Sequence, residues 1–533
     1  MKRVILSIVV LAIFILAGCG NDYDTNPTST PSFNINEPTP TPVGEITVKP
    51  VEGGTITLGV SKFNTLNPLT TDNEDIKYYM SLIYDPLFKL DYQQNALPSL
   101  GIEAKTEDNG TTWRIKLRED VLWHDGQGFT AADCVYTINF LLKNSSLYEV
   151  NVSNIEDCTL VDEFVFSIKL KEPDLFIPGK LTFPIIPASN AGIGSKPVGT
   201  SMYKHMITEN NKMVLVRNEG YWDDKPYIET VEIHMFENER LKYESDSDIL
   251  LLTGPNVSRY LNKAGYISYK YIGRSYMCMM PNLSSNNVVN DVNVRKALMY
   301  MIDVDKVINA SVSGNGIGVA WPVMPGTMYT QDSARKYNRD LDKANEYLQQ
   351  AGYYRHSNGN WYKTGDTERR YPLTIPCNVL SGDVEMRNCA ESVKKQLEEL
   401  GVIFTINYQS EKDYETALKG SAFTLALVNI NISSWPDIEP LFSTSGSMNI
   451  FGYTNPELDD ILANLFISND VLRDTSRIKD ILDNELPLLG LYIAQEAIVM
   501  SEKIYGKELE YNFWNPFGYF NKLHLFTEGI VEE

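Results

Sequence analysis

Between Ala390 and Tyr408 the hydrophobic period changes once, across a single glycine. Ala390, Val393, Leu397 and Leu400 recur at helical spacing, Gly401 stops the run, and Val402, Phe404, Ile406 and Tyr408 then alternate. A helix burying one stripe, followed directly by a strand burying one face, is an α/β unit. Neither layer is stable alone, so the later half of the chain must contain part of a wound sheet with helices packed on it. The helical period recurs in Val294, Ala297, Leu298 and Met301, behind Asp291 as a cap. It recurs again in Leu341, Ala344, Leu348 and Ala351, before Gly352. No internal repeat is present.

The earlier half adds strands. Thr55 to Val60 is a short β-rich run. Trp113, Ile115 and Leu117 alternate with Arg114, Lys116 and Arg118, which predicts a half-buried strand. Asp125-Gly126 marks a turn. Thr130-Ala131-Ala132-Asp133 reads as a capping box that opens a helix through about Leu142, with Val135, Ile138, Leu141 and Leu142 on its apolar face. The chain is 533 residues long and 43% apolar, enough for two to four domains or lobes at about 150 residues each.

The N-terminus sets the expected location. Lys2 and Arg3 precede a nearly all-apolar run from Val4 to Leu16. Such a helix spans about 20 Å against a hydrocarbon core of roughly 30 Å, so it reads as an export signal rather than a permanent span. Leu16-Ala17-Gly18-Cys19 resembles a bacterial lipobox, which implies cleavage after Gly18 and lipidation of Cys19. From Cys19 to Lys49, Asn, Thr, Ser and Pro dominate, a composition that cannot bury a core. It predicts a tether reaching roughly 30 Å as a coil and roughly 90 Å as polyproline II. The remaining cysteines, Cys134, Cys158, Cys278, Cys377 and Cys389, are odd in number and show no C-x-x-C or zinc spacing. They are expected to be mainly buried free thiols, with at most one or two disulfides.

Charge narrows the partners. The formal net charge is −22, and losing the signal with Lys2 and Arg3 leaves −24. That opposes a nucleic-acid surface and a basic membrane-docking patch. G-x-S-x-G, H-E-x-x-H and P-loop motifs are absent from the sequence. Gly314 to Gly318 reads as a loop, and His124 as a turn histidine. Neither an enzyme nor a resident metal or cofactor is expected.

Several blocks together resemble one family. Trp113-Arg114-Ile115-Lys116-Leu117-Arg118 leads through Trp123-His124-Asp125-Gly126 to Phe129-Thr130-Ala131-Ala132-Asp133. Leu82-Ile83-Tyr84-Asp85-Pro86-Leu87, Gly199-Thr200-Ser201-Met202-Tyr203 and Asn218-Glu219-Gly220-Tyr221-Trp222 accompany it, as do Asp291-Val292-Asn293-Val294-Arg295-Lys296-Ala297-Leu298 and Tyr453-Thr454-Asn455-Pro456-Glu457-Leu458-Asp459. Over about residues 55 to 525 the chain resembles the extracellular solute-binding proteins, family 5, of peptide ABC transporters. Ser201 and Met202 depart from the family's G-T-G-P-Y element.

The resemblance implies an α/β, two-lobed periplasmic-binding-protein-like fold of type II, in the large peptide-binding class, with an extra subdomain on the first lobe. Lobe I is expected at 50–92, 185–265 and 495–533, the extra subdomain at 93–184, and lobe II at 266–494. The implied function is a monomeric, lipid-anchored receptor outside the cytoplasm that closes on a peptide and delivers it to an ABC permease and ATPase complex. In peptide binders of the family, an aspartate shortly after a tryptophan pairs with the ligand's α-amino group. Here that places Trp435 in the cleft wall and either Asp437 or Glu439, or neither, as the anchor. Asn429, Asn431 and Ser433 are expected to face the cleft, with Thr71, Asp72 and Asn73 opposite and Tyr492 near the returning hinge. Two other readings stay open: the same fold binding an oligosaccharide, nickel chelate or other small solute, and a surface sensor whose ligand signals rather than feeds.

Overall fold

The computed structural model describes residues 46–531 except 107, 145, 190–193, 328–334, 366, 367, 436 and 508. The expected signal at 1–18, Cys19, the tether as far as residue 45, and Pro436 lie outside the described residues. Contacts divide the chain into residues 48–528 and a separate unit of the two termini, of which 46–47 and 529–531 are described as strand.

The alternating segment Thr55–Ser61 buries Ile56, Leu58 and Val60 and lies inside an eleven-stranded sheet. From one edge ten of them run in the order Ile403–Gln409, Thr374–Leu380, Leu425–Asn431, Tyr266–Pro281, Leu489–Ser501, Ile249–Leu252, Thr55–Ser61, Thr230–Phe236, Lys212–Arg217 and Tyr203–Glu209, and the eleventh, Gly316–Gly318, pairs off this path with Leu489–Ser501. Two strands are long, at 16 and 13 residues: Tyr266–Pro281 and Leu489–Ser501. They run antiparallel through the middle of the sheet. One end of Leu489–Ser501 pairs with Ile249–Leu252, and the far end of Tyr266–Pro281 pairs with Leu425–Asn431. Their mutual register slips between Ile272 and Tyr276. The two halves of the sheet are therefore joined by two long paired strands, with a bulge partway along their pairing.

The α/β unit read from sequence is present. Helix Val384–Glu399 starts at Asp383, whose side chain accepts from the Met386 amide. Gly401 has φ +84, and Ile403–Gln409 follows, parallel to Thr374–Leu380. Asp291 caps helix Val292–Met301, and Asp340 caps Leu341–Gln350. Buried Arg295 donates to the carbonyls of Val289 (2.7 Å), Asn290 (2.9 Å), Leu486 (2.9 Å) and Glu485. That network explains an arginine on an otherwise apolar helix face. Gly316–Gly318 is a short strand paired with residues 492–494 rather than a free loop, because the long strand offers it a backbone partner.

A separate four-stranded antiparallel sheet runs Gly101–Thr106, Thr112–Leu117, Val165–Leu170, Ile155–Asp162. Trp113, Ile115 and Leu117 face its core, and helix Ala131–Lys143 packs against its edge strand. The capping-box carboxylate of Asp133 accepts from the Thr130 amide (3.0 Å), the Trp123 indole (3.2 Å) and the Ala188 amide (2.8 Å).

The other sequence blocks meet at Asp85. Its buried carboxylate accepts from Thr200 Oγ1 (3.1 Å), Ser201 Oγ (3.2 Å), Tyr221 Oη (3.3 Å) and Trp222 Nε1 (3.0 Å). Ser201, one of the two departures, thus contributes a hydroxyl to this node. Gly199 has no alternative, because a Cβ there would lie 1.8 Å from the Ile83 carbonyl oxygen. Cys134, Cys158, Cys278, Cys377 and Cys389 are all buried and unpaired with one another. No helix among the described residues is long and apolar enough to cross a membrane.

Candidate ligand cleft

Strand Leu425–Asn431 delivers the chain to a polar turn. The Ile432 amide bonds to the Arg274 carbonyl, which extends the pairing by one residue beyond the strand end. Ser433 Oγ accepts from the Trp435 amide (3.2 Å), the Asp437 amide donates to the Trp435 carbonyl (2.9 Å), and Asp437 Oδ1 accepts from the Glu439 amide (3.0 Å). The short helix Glu439–Phe442 follows. These bonds fix where Trp435 points.

Its ring is buried against Gly179, and a Cβ on Gly179 would meet Trp435 Cζ3 at 2.0 Å. Phe176 and Phe466 flank it, with ring centroids 5.6 and 6.4 Å away. Other contacts join the same two regions. Gln94 Nε2 donates to the Ser434 carbonyl (2.8 Å), and the Leu175 amide donates to the Phe466 carbonyl (2.8 Å). Two buried polar atoms at this seam, Gln94 Oε1 and Trp435 Nε1, have no hydrogen-bond partner.

Two cavities border the 431–435 segment. One, of about 690 Å³, is lined by Gln94, Ala96, Phe176, Gly179, Thr327 and Trp435 among others. The second, of about 360 Å³, is lined by Lys77, Tyr78, Tyr148, Arg274, Asn431 and Ser433, with Trp514 at its side. Each combines aromatic faces with a few polar groups, the usual character of a small-ligand site.

The electrostatics differ along the cleft. Lys180 Nζ lies 2.7 Å from Asp174 Oδ2, and both are buried. Burial pushes the Asp437 carboxyl above its usual range, against the pull of Lys180. Burial raises Glu439 too, and the Asp437 charge adds to it. On the other side, the Lys77 ammonium lies over the rings of Tyr78 (5.8 Å) and Tyr148 (5.7 Å). Burial lowers its pKa, opposed by Glu74. Arg274 Nη2 pairs with Glu74 Oε1 at 2.6 Å.

The expected site residues separate into groups. Trp435, Asn431 and Ser433 line the cavities, whereas Asp437 and Glu439 are half-buried and line neither. Asn429 is exposed and accepts from Ser275 Oγ (2.8 Å). Thr71 is buried, with its Oγ1 accepting from the Asn73 amide (3.3 Å). Asn73 caps helix Glu74–Tyr79 and ties it to Ser61 and Lys62. Asp72 is exposed, and its amide bonds to Asn64. These three build the turn before the helix and line neither cavity. Tyr492 needs the clearest correction: it is fully buried, and its hydroxyl donates to Glu385 Oε1 at 2.9 Å. Its ring belongs to the core under the second half of the sheet, because its position on the strand turns it away from the cleft.

Lys77, Tyr78, Gln94, Gly179 and Arg274 were missed. Arg274 had one signal, a Gly273-Arg274-Ser275 break inside an otherwise strand-forming run. The others had none in the local sequence.

The profile described as "Bacterial extracellular solute-binding proteins, family 5 Middle" matches residues 97–452, more than half of the chain. The chain belongs to this family. Oligopeptide-binding protein AppA of Bacillus subtilis is 23% identical over 545 residues, covering 94% of each chain. The structure of AppA in complex with a nonapeptide superposes with a TM-score of 0.64 at 20% identity, covering 90% of this chain and 100% of AppA. Glutathione-binding protein GsiB of Escherichia coli (strain K12) is 24% identical over 499 residues, 84% of this chain and 90% of GsiB. A nickel ABC transporter structure from Bacillus halodurans superposes with a TM-score of 0.74 at 20% identity, covering 89% and 99% of the two chains. This family 5 chain therefore has the two-lobed α/β fold of ABC-transporter solute-binding proteins. Its relatives carry different ligands, so the fold alone does not name the one held here.

Proposed function

We propose that this protein is a substrate-binding component of an ABC importer that captures peptides outside the cytoplasm. It is anchored through lipid on Cys19 and hands its ligand to a permease and ATPase complex. In this reading, residues 50–92, 185–265 and 495–533 form lobe I, 93–184 its extra subdomain, and 266–494 lobe II. The cavities beside Trp435 then lie between the lobes. Ligand binding closes them, which requires only tighter binding to the closed form than to the open one.

The observation that carries the reading is the seam around Trp435. Gln94, Leu175 and Gly179 from one proposed lobe meet Ser434, Phe466 and Trp435 from the other, beside cavities of about 690 and 360 Å³. AppA, similar over nearly its whole length, is known with a nonapeptide bound, which favours a peptide. Asp437 is the proposed partner of the ligand's ammonium. Asp437 lines neither cavity, and Lys180, the cation acting on it, is already paired with Asp174, so a ligand ammonium that reached Asp437 would supply the counter-charge that its buried carboxyl lacks.

Thermal unfolding with short free peptides, N-acetylated peptides, oligosaccharides and nickel–histidine chelates tests this, because a ligand of the native state raises Tm by mass action. Free peptides should shift Tm, acetylated ones less, and Asp437→Asn should erase the difference. A shift from sugars or chelates alone would replace the peptide reading with one of those ligands.

A further inference from the structure

The smaller cavity has a charge pattern of its own. Its charged lining residues are Lys77, Lys89 and Arg274, and no carboxylate is among them. Lys89 is committed elsewhere, lying 3.7 Å from Asp85 and over the Trp222 ring. Lys77 is not. Among the described residues no carboxylate or carbonyl accepts a hydrogen bond from its ammonium, which lies over the Tyr78 and Tyr148 rings and feels the Glu74 and Glu496 carboxylates only at a distance. A cation over aromatic faces gains electrostatic attraction but loses the hydrogen bonds that water supplied.

Arg274 lines the same cavity. Its side chain is 28% exposed, and Glu74 is its one ion-pair partner among the described residues. A guanidinium carries five donors in a planar fork, so one carboxylate leaves donors unused. The other acidic group near this cluster is Glu496, on the second long strand. It is buried, with Oε2 lacking a partner, and burial raises its pKa, which weakens it as a fixed counter-charge. Asn431, Ser433 and Tyr78 supply neutral polar groups around the same space.

We infer that this cavity takes a carboxylate of the ligand, held between the Lys77 ammonium and the Arg274 guanidinium. Lys77 follows the first-lobe strand Thr55–Ser61, and Arg274 sits in the bulge between the two paired long strands. An anion that touches both is bound best when the lobes are together, so the contact selects the closed form as well as the ligand. This deepens the peptide reading and rests on it. A peptide would be read at both ends, its ammonium near Asp437 and a carboxylate here.

The test compares short peptides as free acids and as C-terminal amides, by calorimetry, on the full mature protein. Free acids should bind roughly ten- to a hundredfold tighter than amides, the usual worth of a charge-assisted hydrogen-bonded anchor. Lys77→Gln and Arg274→Gln should each shrink that ratio, because the free acids lose more affinity than the amides do. Amidated peptides that carry Glu or Gln in one position assign the source. If only the Glu form regains affinity, the cavity takes a side-chain carboxylate; if neither does, it takes the terminal one. Equal binding of acids and amides by the native protein would overturn the inference while leaving the peptide reading intact. If no peptide of any form bound, the peptide reading itself would fall, and the inference with it.

Discussion

Gly179→Ala isolates the closing contact. The new Cβ would lie 2.0 Å from Trp435 Cζ3 and 2.6 Å from Cε3, whereas ordinary contact begins at 3.4 Å. The indole would have to retreat by about 1.4 Å, the difference between those two distances. Phe176 and Phe466 flank the ring, so its retreat disturbs their packing and pushes it toward the neighbouring cavity. Overpacking of this kind costs about 1–3 kcal/mol. In the proposed mechanism, Gly179 and Trp435 belong to different lobes, so only the closed form bears that cost. Peptide affinity should then fall by roughly 5- to 150-fold. The unliganded protein should lose nothing. Alanine also restricts the unfolded chain, worth about 0.4–1 kcal/mol where the backbone accepts it, so Tm without ligand should hold or rise slightly. Calorimetry gives Kd, and unfolding with and without peptide gives both Tm values. Small-angle scattering should show the variant staying extended at peptide concentrations that compact the native protein. If unliganded Tm fell while Kd stayed the same, Gly179 and Trp435 would be parts of one rigid core, and the proposed lobe boundary would be wrong.

Three further outcomes follow from the geometry. His124 accepts from the Gly199 amide at Nδ1 (3.2 Å) and bonds through Nε2 to the Ser201 carbonyl (2.9 Å), so protonating Nδ1 would set two donors against each other. With burial as the main cause, its pKa is depressed to about 4. The unfolded chain then takes up this proton first as pH falls. The contribution is intact above pH about 6.5 and shrinks between about 6.5 and 4, by up to roughly 3 kcal/mol. Denaturant unfolding of the native chain and of His124→Gln at both ends of that window checks the step; parallel pH dependence in the two would refute it. Tyr492→Phe should lower stability by about 1–2 kcal/mol, because Glu385 loses a donor, and should leave peptide Kd unchanged; a severalfold change in Kd would return Tyr492 to the cleft. The five internal thiols should resist alkylation in the native protein, being buried, with Cys158 and Cys377 pushed up to about 12. Mass spectrometry should find all five modified only after unfolding, and early modification of any one would contradict its burial.

The readings that succeeded rest on local chemistry. The switch of period across Gly401, the Asp291 cap and the Thr130–Asp133 box each involve residues within a few positions of one another, and the structure forms all three. The same logic was available at Thr71–Asn73. Asn73 before Glu74 and Asp75 is an N-cap followed by an acidic first turn, and the structure uses it so. Tyr492 went astray for a different reason. A strand buried on both faces gives no alternation, so its sequence does not say which side faces the ligand.

The sequence by itself determined the α/β class, the helix caps and the blocks that mark a family 5 chain, because these follow from period, capping and motif spacing. Tertiary structure alone decided where those blocks meet. It gathered Thr200, Ser201, Tyr221 and Trp222 onto Asp85, pressed Trp435 onto Gly179, and brought Lys77 and Arg274 to one cavity. Local period reports which face of an element is apolar. Which distant side chain fills the space beside that face depends on how the two halves of one sheet fold across a pair of strands.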